Sequence, residues 1–169
     1  AESWEVSEDG RTWSFTLREG QVWSDGTPLT AHDYVATFRL AATPEHGWDF
    51  TWFYGFLGPG GIENWNQVIA GELPVEELGV EAVDDMTFAI TTEGVFPPLP
   101  GVMKFSWPIQ AKALEEHGAF YNSDPETHVS AGPFILKEFD PGNRIVLEAN
   151  PDYNGYRKPR LKDIEYIYM

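Results

Sequence analysis

Polar and apolar residues alternate through Thr12-Trp13-Ser14-Phe15-Thr16-Leu17, which puts Trp13, Phe15 and Leu17 on one face of a β-strand. Ser7-Glu8-Asp9-Gly10 ahead of it reads as a turn, and Arg18-Glu19-Gly20 closes it. The turn-rich run Trp23-Ser24-Asp25-Gly26-Thr27-Pro28 follows, with Val22 and Trp23 directed toward the core. The period then changes. Tyr34, Val35, Phe38, Ala41 and Ala42 recur at helical spacing, Thr30 offers an N-cap with Asp33 three residues on, and Pro44 lies past the end. A helix is predicted over 31–42.

No single period fits residues 46–65, where Trp48, Phe50, Trp52, Phe53, Tyr54 and Phe56 precede Gly58-Pro59-Gly60-Gly61. The glycine run reads as a flexible connection, because it lacks the lysine and the strand–turn–helix setting of a phosphate loop. A short helix is predicted over 62–70, stopped by Gly71 with Pro74 behind it. Residues 78–83 and 86–91 read as an antiparallel pair of strands around Asp84-Asp85. Pro97, Pro98, Pro100, Gly101 and Pro108 keep 95–108 largely out of regular structure, and 110–117 reads as a short helix ended by Gly118. Phe134, Leu136 and Phe139 mark one strand and Arg144–Ala149 another. Asp140-Pro141-Gly142-Asn143 joins them as a type II turn, since proline presets the first central φ and glycine permits the second. Residues 150–160 form a polar loop; 163–169 alternate, with Ile164, Tyr166 and Tyr168 on one face and Ile167 on the other. Short strands and helices without regular βαβ order imply an α+β fold with a mixed or antiparallel sheet.

Length and charge narrow the function. A chain of 169 residues makes one domain or two small lobes, and buries about 70% of the surface its unfolded form exposes. The chain carries 27 Asp and Glu against 11 Lys and Arg, a formal charge of −16 that repels nucleic acid and anionic membrane surfaces. No run approaches the roughly 18 apolar residues of a membrane span, so no direct membrane insertion is expected. Cysteine is absent, which removes disulfides, thiolate metal sites and a cysteine nucleophile. The start Ala1-Glu2-Ser3-Trp4 has no basic and apolar leader, and the chain stops inside the apolar run Ile164–Met169; both ends read as those of a piece of something longer.

Catalytic chemistry finds little support. His32, His46, His117 and His128 show no metal-ligand spacing, so no metal site or cofactor is expected. The acid pairs Glu76-Glu77, Asp84-Asp85 and Glu115-Glu116 are adjacent, whereas acid–base work needs carboxylates held apart across a cleft. The chain has no Gly-x-Ser-x-Gly elbow, P-loop or dinucleotide fingerprint. No catalytic residue is assigned. The aromatics carry more: Trp13 and Trp23 belong to the core, while Trp48, Trp52, Tyr54, Trp65 and Trp107 lie in weakly patterned segments. Loop aromatics beside Gly and Pro can line a recognition cleft for peptides, sugars or other amphipathic ligands.

Three runs near the start carry a resemblance: residues 1–10, Trp13-Ser14-Phe15-Thr16-Leu17-Arg18, and the long Trp23-Ser24-Asp25-Gly26-Thr27-Pro28-Leu29-Thr30-Ala31-His32-Asp33-Tyr34-Val35. With Leu78-Gly79-Val80-Glu81-Ala82-Val83-Asp84-Asp85, Ser130-Ala131-Gly132-Pro133-Phe134 and 145–153, they resemble the extracellular solute-binding proteins of the oligopeptide/dipeptide/nickel type, family 5. Those are the capture subunits of ABC importers.

The resemblance implies part of lobe one of a type II periplasmic-binding-protein fold, with an extra subdomain over roughly 20–130 and returning strands of the main lobe over 131–169. It implies a ligand-capture role for peptides or similar small solutes, no enzyme activity, ABC permease subunits as partners, and a periplasmic or cell-surface lipoprotein parent. An aromatic near Tyr54 approaches the ligand in peptide-binding relatives, which makes Trp52, Tyr54 and Trp107 the candidate ligand-binding residues. Two other roles stand beside this one: the ligand-sensing domain of a transcription regulator, and a stand-alone carbohydrate-binding module.

Overall fold

The computed structural model describes residues 1–46 and 50–169, which fall into two compact units. One joins Ala1–Arg18 to Thr30–Pro108; the other joins Glu19–Leu29 to Ile109–Met169. The architecture is α+β, and every strand pairing among the described residues is antiparallel.

The first unit is built on a four-stranded sheet in the order β1-β2-β4-β3, from β1 (Ser3–Val6), β2 (Thr12–Thr16), β3 (Val80–Asp84) and β4 (Thr87–Thr91). Trp13 faces Ile90 and Phe15 faces Phe88 across β2 and β4, so the expected apolar face of β2 is half of a buried cross-strand pair of rows. Helix α1 (Ala31–Ala42) covers this sheet, with Phe38 and Val35 buried and the Tyr34 ring stacked 4.6 Å from that of Phe88. Its start is fixed where the sequence places it: the Asp33 carboxylate accepts a 2.9 Å bond from the Thr30 N–H, tying off an otherwise orphaned donor.

Two elements differ from expectation. Strand β1 escapes prediction because Trp4 and Val6, though alternating with polar neighbours, stay about half exposed; only its ladder with β2 orders it. Helix α3 is shorter than 62–70 and spans Trp65–Ile69. Ile62 is drawn into a bridge with Thr92, and Asn64 at φ +64° is left-handed, so no right-handed turn can start before Trp65. Between them lies α2 (Phe53–Phe56), and in the proline-rich stretch α4 (Leu99–Val102) runs into a 3₁₀ turn at Met103–Phe105.

The second unit holds the turn-rich loop, helix α5 (Ala111–His117), and the three-stranded sheet β5 (Phe134–Asp140), β6 (Arg144–Ala149), β7 (Asp163–Ile167). Trp23 is buried in that loop, whose Ser24 N–H donates to Ser130 O at 2.9 Å. Gln110, itself buried, donates from its amide to Asp25 and Thr27 and so locks the loop to the start of α5. The β5–β6 turn has Gly142 at φ +85° in the second central position, as a type II turn requires.

Candidate functional site

Helix α2 is four residues long, too short to hold itself, so neighbours hold it. The Trp65 indole N–H donates to Thr51 O at 2.6 Å, and Ile62 N–H donates to Tyr54 O at 3.1 Å. Tyr54 is the hub. Its ring meets Phe38, Trp65 and Phe53 edge-on at 5.3, 5.1 and 5.1 Å, and it is only 3% exposed. Its hydroxyl lies 2.6 Å from Ser106 Oγ, which satisfies the one polar atom that this burial would strand. Burial pushes the Tyr54 pKa up, with the Ser106 hydrogen bond working the other way.

Around this hub the aromatic side chains turn outward. Trp52 is 53% exposed and touches Phe50, Phe53 and Phe56 at 6.3, 6.1 and 5.8 Å between ring centres. Phe53 meets Phe105 at 5.8 Å, and Trp107, 72% exposed, follows Ser106 directly. Of the sequence candidates, Trp52 and Trp107 are thus on the surface and Tyr54 is beneath it, joined to Trp107 through the adjacent Ser106. Trp65, grouped with the loop aromatics in the sequence, is fully buried in the frame. Trp48 lies outside the described residues. Phe50, Phe56 and Phe105 are not among the sequence candidates; for Phe50 and Phe56 the signal is an absence, since residues 50–62 contain no charged side chain.

The glycine run beside α2 is not the flexible connection expected of it. Residues Gly58–Gly60 form a 3₁₀ turn in which Gly61 N–H donates to Gly58 O at 2.9 Å. Two further main-chain bonds, Gly94 N–H to Pro59 O at 2.8 Å and Glu93 N–H to Gly61 O at 2.9 Å, clip it to the segment after β4. A Cβ on Gly60 would sit 2.4 Å from the Phe96 ring, so glycine serves here for close approach. Arg11 closes the frame, donating to Thr92 O at 3.0 Å and pairing with Glu63 at 2.7 Å.

Reactive constellations are not assembled here. Among the described residues no group of His, Asp and Glu could hold a metal ion. His32 sits 3.4 Å from Asp85 and His117 3.8 Å from Glu116, both exposed pairs. What the surface offers is aromatic faces and edges on a hydrogen-bonded frame, which suits contact with apolar and aromatic groups.

The fold places this chain in a known family. The family model for bacterial extracellular solute-binding proteins, family 5 Middle, matches residues 1–169, and the chain belongs to that family. It is 36% identical, over 99% of its length, to the periplasmic oligopeptide-binding protein OppA of Salmonella typhimurium. It is 33% identical over its whole length to YgiS of Escherichia coli, a probable deoxycholate-binding periplasmic protein. The crystal structure of Haemophilus influenzae OppA in complex with the peptide RPPGFSPFR superposes on all of it with a TM-score of 0.89 at 30% identity. The fold is therefore part of a type II periplasmic-binding-protein fold. The chain spans about 30% of the length of those two curated relatives and 33% of that crystallised chain.

Proposed function

We propose that this chain is part of the first lobe of an extracytoplasmic solute receptor of an ABC importer, and that its ligand is a peptide. Trp52 and Trp107 contact the ligand, and Tyr54 holds them in place from behind through Ser106. The receptor does no chemistry. Ligand is captured between two lobes, its contacts favour the closed form, and that form docks on permease subunits at the membrane.

The observation that carries the reading is the likeness of the whole chain to an OppA crystallised with a peptide, and the exposed aromatics Trp52 and Trp107 support it. A second reading of the ligand, an amphipathic fused-ring acid, has the 33% identity to YgiS behind it. Calorimetric titration of the whole receptor with pooled tri- to pentapeptides, deoxycholate and pooled oligosaccharides tests both. Saturable binding of peptides is expected. Binding of sugars alone, or of nothing in the three pools, overturns the reading.

A further inference from the structure

The surface around α2 stands out by its charge. Residues 50–62 and 94–108 together hold one ionisable side chain of the Lys, Arg, Asp and Glu type, Lys104. At the chain's average of 22% charged residues, about six would be expected in 28. Over the remaining residues acids outnumber Lys and Arg by 27 to 10, in line with a net charge of −16. Here there is one cation and no acid.

The geometry makes these two segments one patch. The Lys104 ammonium lies over the Phe105 ring at 4.9 Å from its centre. Phe105 meets Phe53, Phe53 meets Trp52, and Trp52 meets Phe50 and Phe56, each at 5.8–6.3 Å. Phe56 is 79% exposed at the far end. Lys104 is not among the cations that form ion pairs in the described residues, which are Arg11, Lys137 and Arg144. An exposed aromatic row of this kind attracts apolar and aromatic groups, and a lone ammonium beside it attracts an anion.

Resting on the peptide-receptor reading, we infer that this patch selects peptides with aromatic side chains, and that Lys104 pairs with the free C-terminal carboxylate. Phe50, Trp52, Phe56 and Phe105 take the aromatic side chains edge-to-face, and Lys104 sets the ligand's direction along the row. Within the patch, Lys104 is the one cation that attracts a carboxylate.

The test is calorimetry on the whole receptor with triphenylalanine, its C-terminal amide, trialanine and deoxycholate. Triphenylalanine is expected to bind about tenfold tighter than trialanine, in line with one aromatic contact, and about threefold tighter than its own amide, in line with one exposed ion pair. Phe56→Ala should lower the affinity for triphenylalanine by more than that for trialanine. Lys104→Gln should bring the acid down to the amide. Both side chains are exposed, and a thermal melt confirms that each variant is folded. Equal affinity for triphenylalanine and trialanine, with both variants silent, overturns this inference and leaves the peptide-receptor reading standing. Deoxycholate binding that needs Phe56 and Lys104, with no peptide binding, overturns the peptide as occupant and with it the first reading of the ligand.

Discussion

The hydroxyl of Tyr54 and the Oγ of Ser106 are 2.6 Å apart, across 52 positions of sequence. This bond joins the irregular aromatic stretch after α1 to the proline-rich stretch after β4, at the residue next to Trp107 in sequence. Tyr54→Phe keeps the ring and its edge contacts but leaves the Ser106 hydroxyl without this partner. The expected cost is about 1 kcal/mol, or about 2–4 °C in Tm for a chain of this size. Peptide affinity should fall with it, because Trp107 loses its tether. A Tm unchanged within error would mean that the bond holds nothing together.

Gly60 makes the sharper steric prediction. A methyl group there would drive into the Phe96 ring, and overpacking of this kind costs about 1–3 kcal/mol. Gly60→Ala should therefore lower the denaturant midpoint, and Phe96→Leu in the same chain should return part of the loss. The coupling between the two substitutions, read from a double-mutant cycle, is the measurement. Simple additivity would contradict the contact.

Acid sensitivity should come in part from His128. Its imidazole is half-buried, and neither ring nitrogen makes a well-formed hydrogen bond among the described residues. Burial pushes its pKa below the ordinary 6.5, and the Asn122 main chain offsets this only in part. Above pH 6.5 both folded and unfolded chains hold it neutral, so it adds no slope. Below 6.5 the unfolded chain takes up a proton that the folded chain resists, so stability falls as pH drops through this window toward the folded value. Tm measured from pH 7.5 to 5 should fall less in His128→Gln than in the natural chain. Parallel curves would remove His128 from the account.

Salt should stabilise this protein. The net charge of −16 opposes compaction, while the described ion pairs Arg11–Glu63, Lys137–Glu148 and Arg144 with Glu138 and Glu165 are solvent-accessible and contribute little each. Between about 10 mM and 1 M salt the screening length falls from about 30 Å to about 3 Å, which suppresses the repulsion more than it weakens these pairs. Tm in sodium chloride should rise over that range. A fall would mean that the ion pairs outweigh the repulsion.

Much of the frame could be read before the structure, wherever local chemistry and burial agree. Thr30, Asp33 and the apolar spacing of Val35 and Phe38 mark α1 at both ends, and the alternation of Trp13, Phe15 and Leu17 marks β2. The paired strands β3 and β4 and the turn at Asp140–Asn143 were legible for the same reason. Legibility fails where a distant partner decides. Ile62 looks helical by its neighbours, yet Thr92 takes it into a bridge. Gly60 looks mobile, yet Phe96 packs against it. The site shows the same division. Aromatic content pointed to Trp48, Trp52, Tyr54, Trp65 and Trp107 and the resemblance narrowed these to Trp52, Tyr54 and Trp107, but only tertiary packing separates the buried Tyr54 from the exposed pair, because a stretch without a period does not say which ring faces water.

The central claim, that Trp52 and Trp107 face the ligand, is tested most directly by fluorine NMR of the whole receptor labelled with 5-fluorotryptophan. Resonances are assigned by single Trp→Phe substitutions and followed as peptide is added. The Trp52 and Trp107 signals are expected to shift on saturation, while those of the buried Trp23 and Trp65 move far less. Saturable peptide binding that leaves both Trp52 and Trp107 where they were would contradict it.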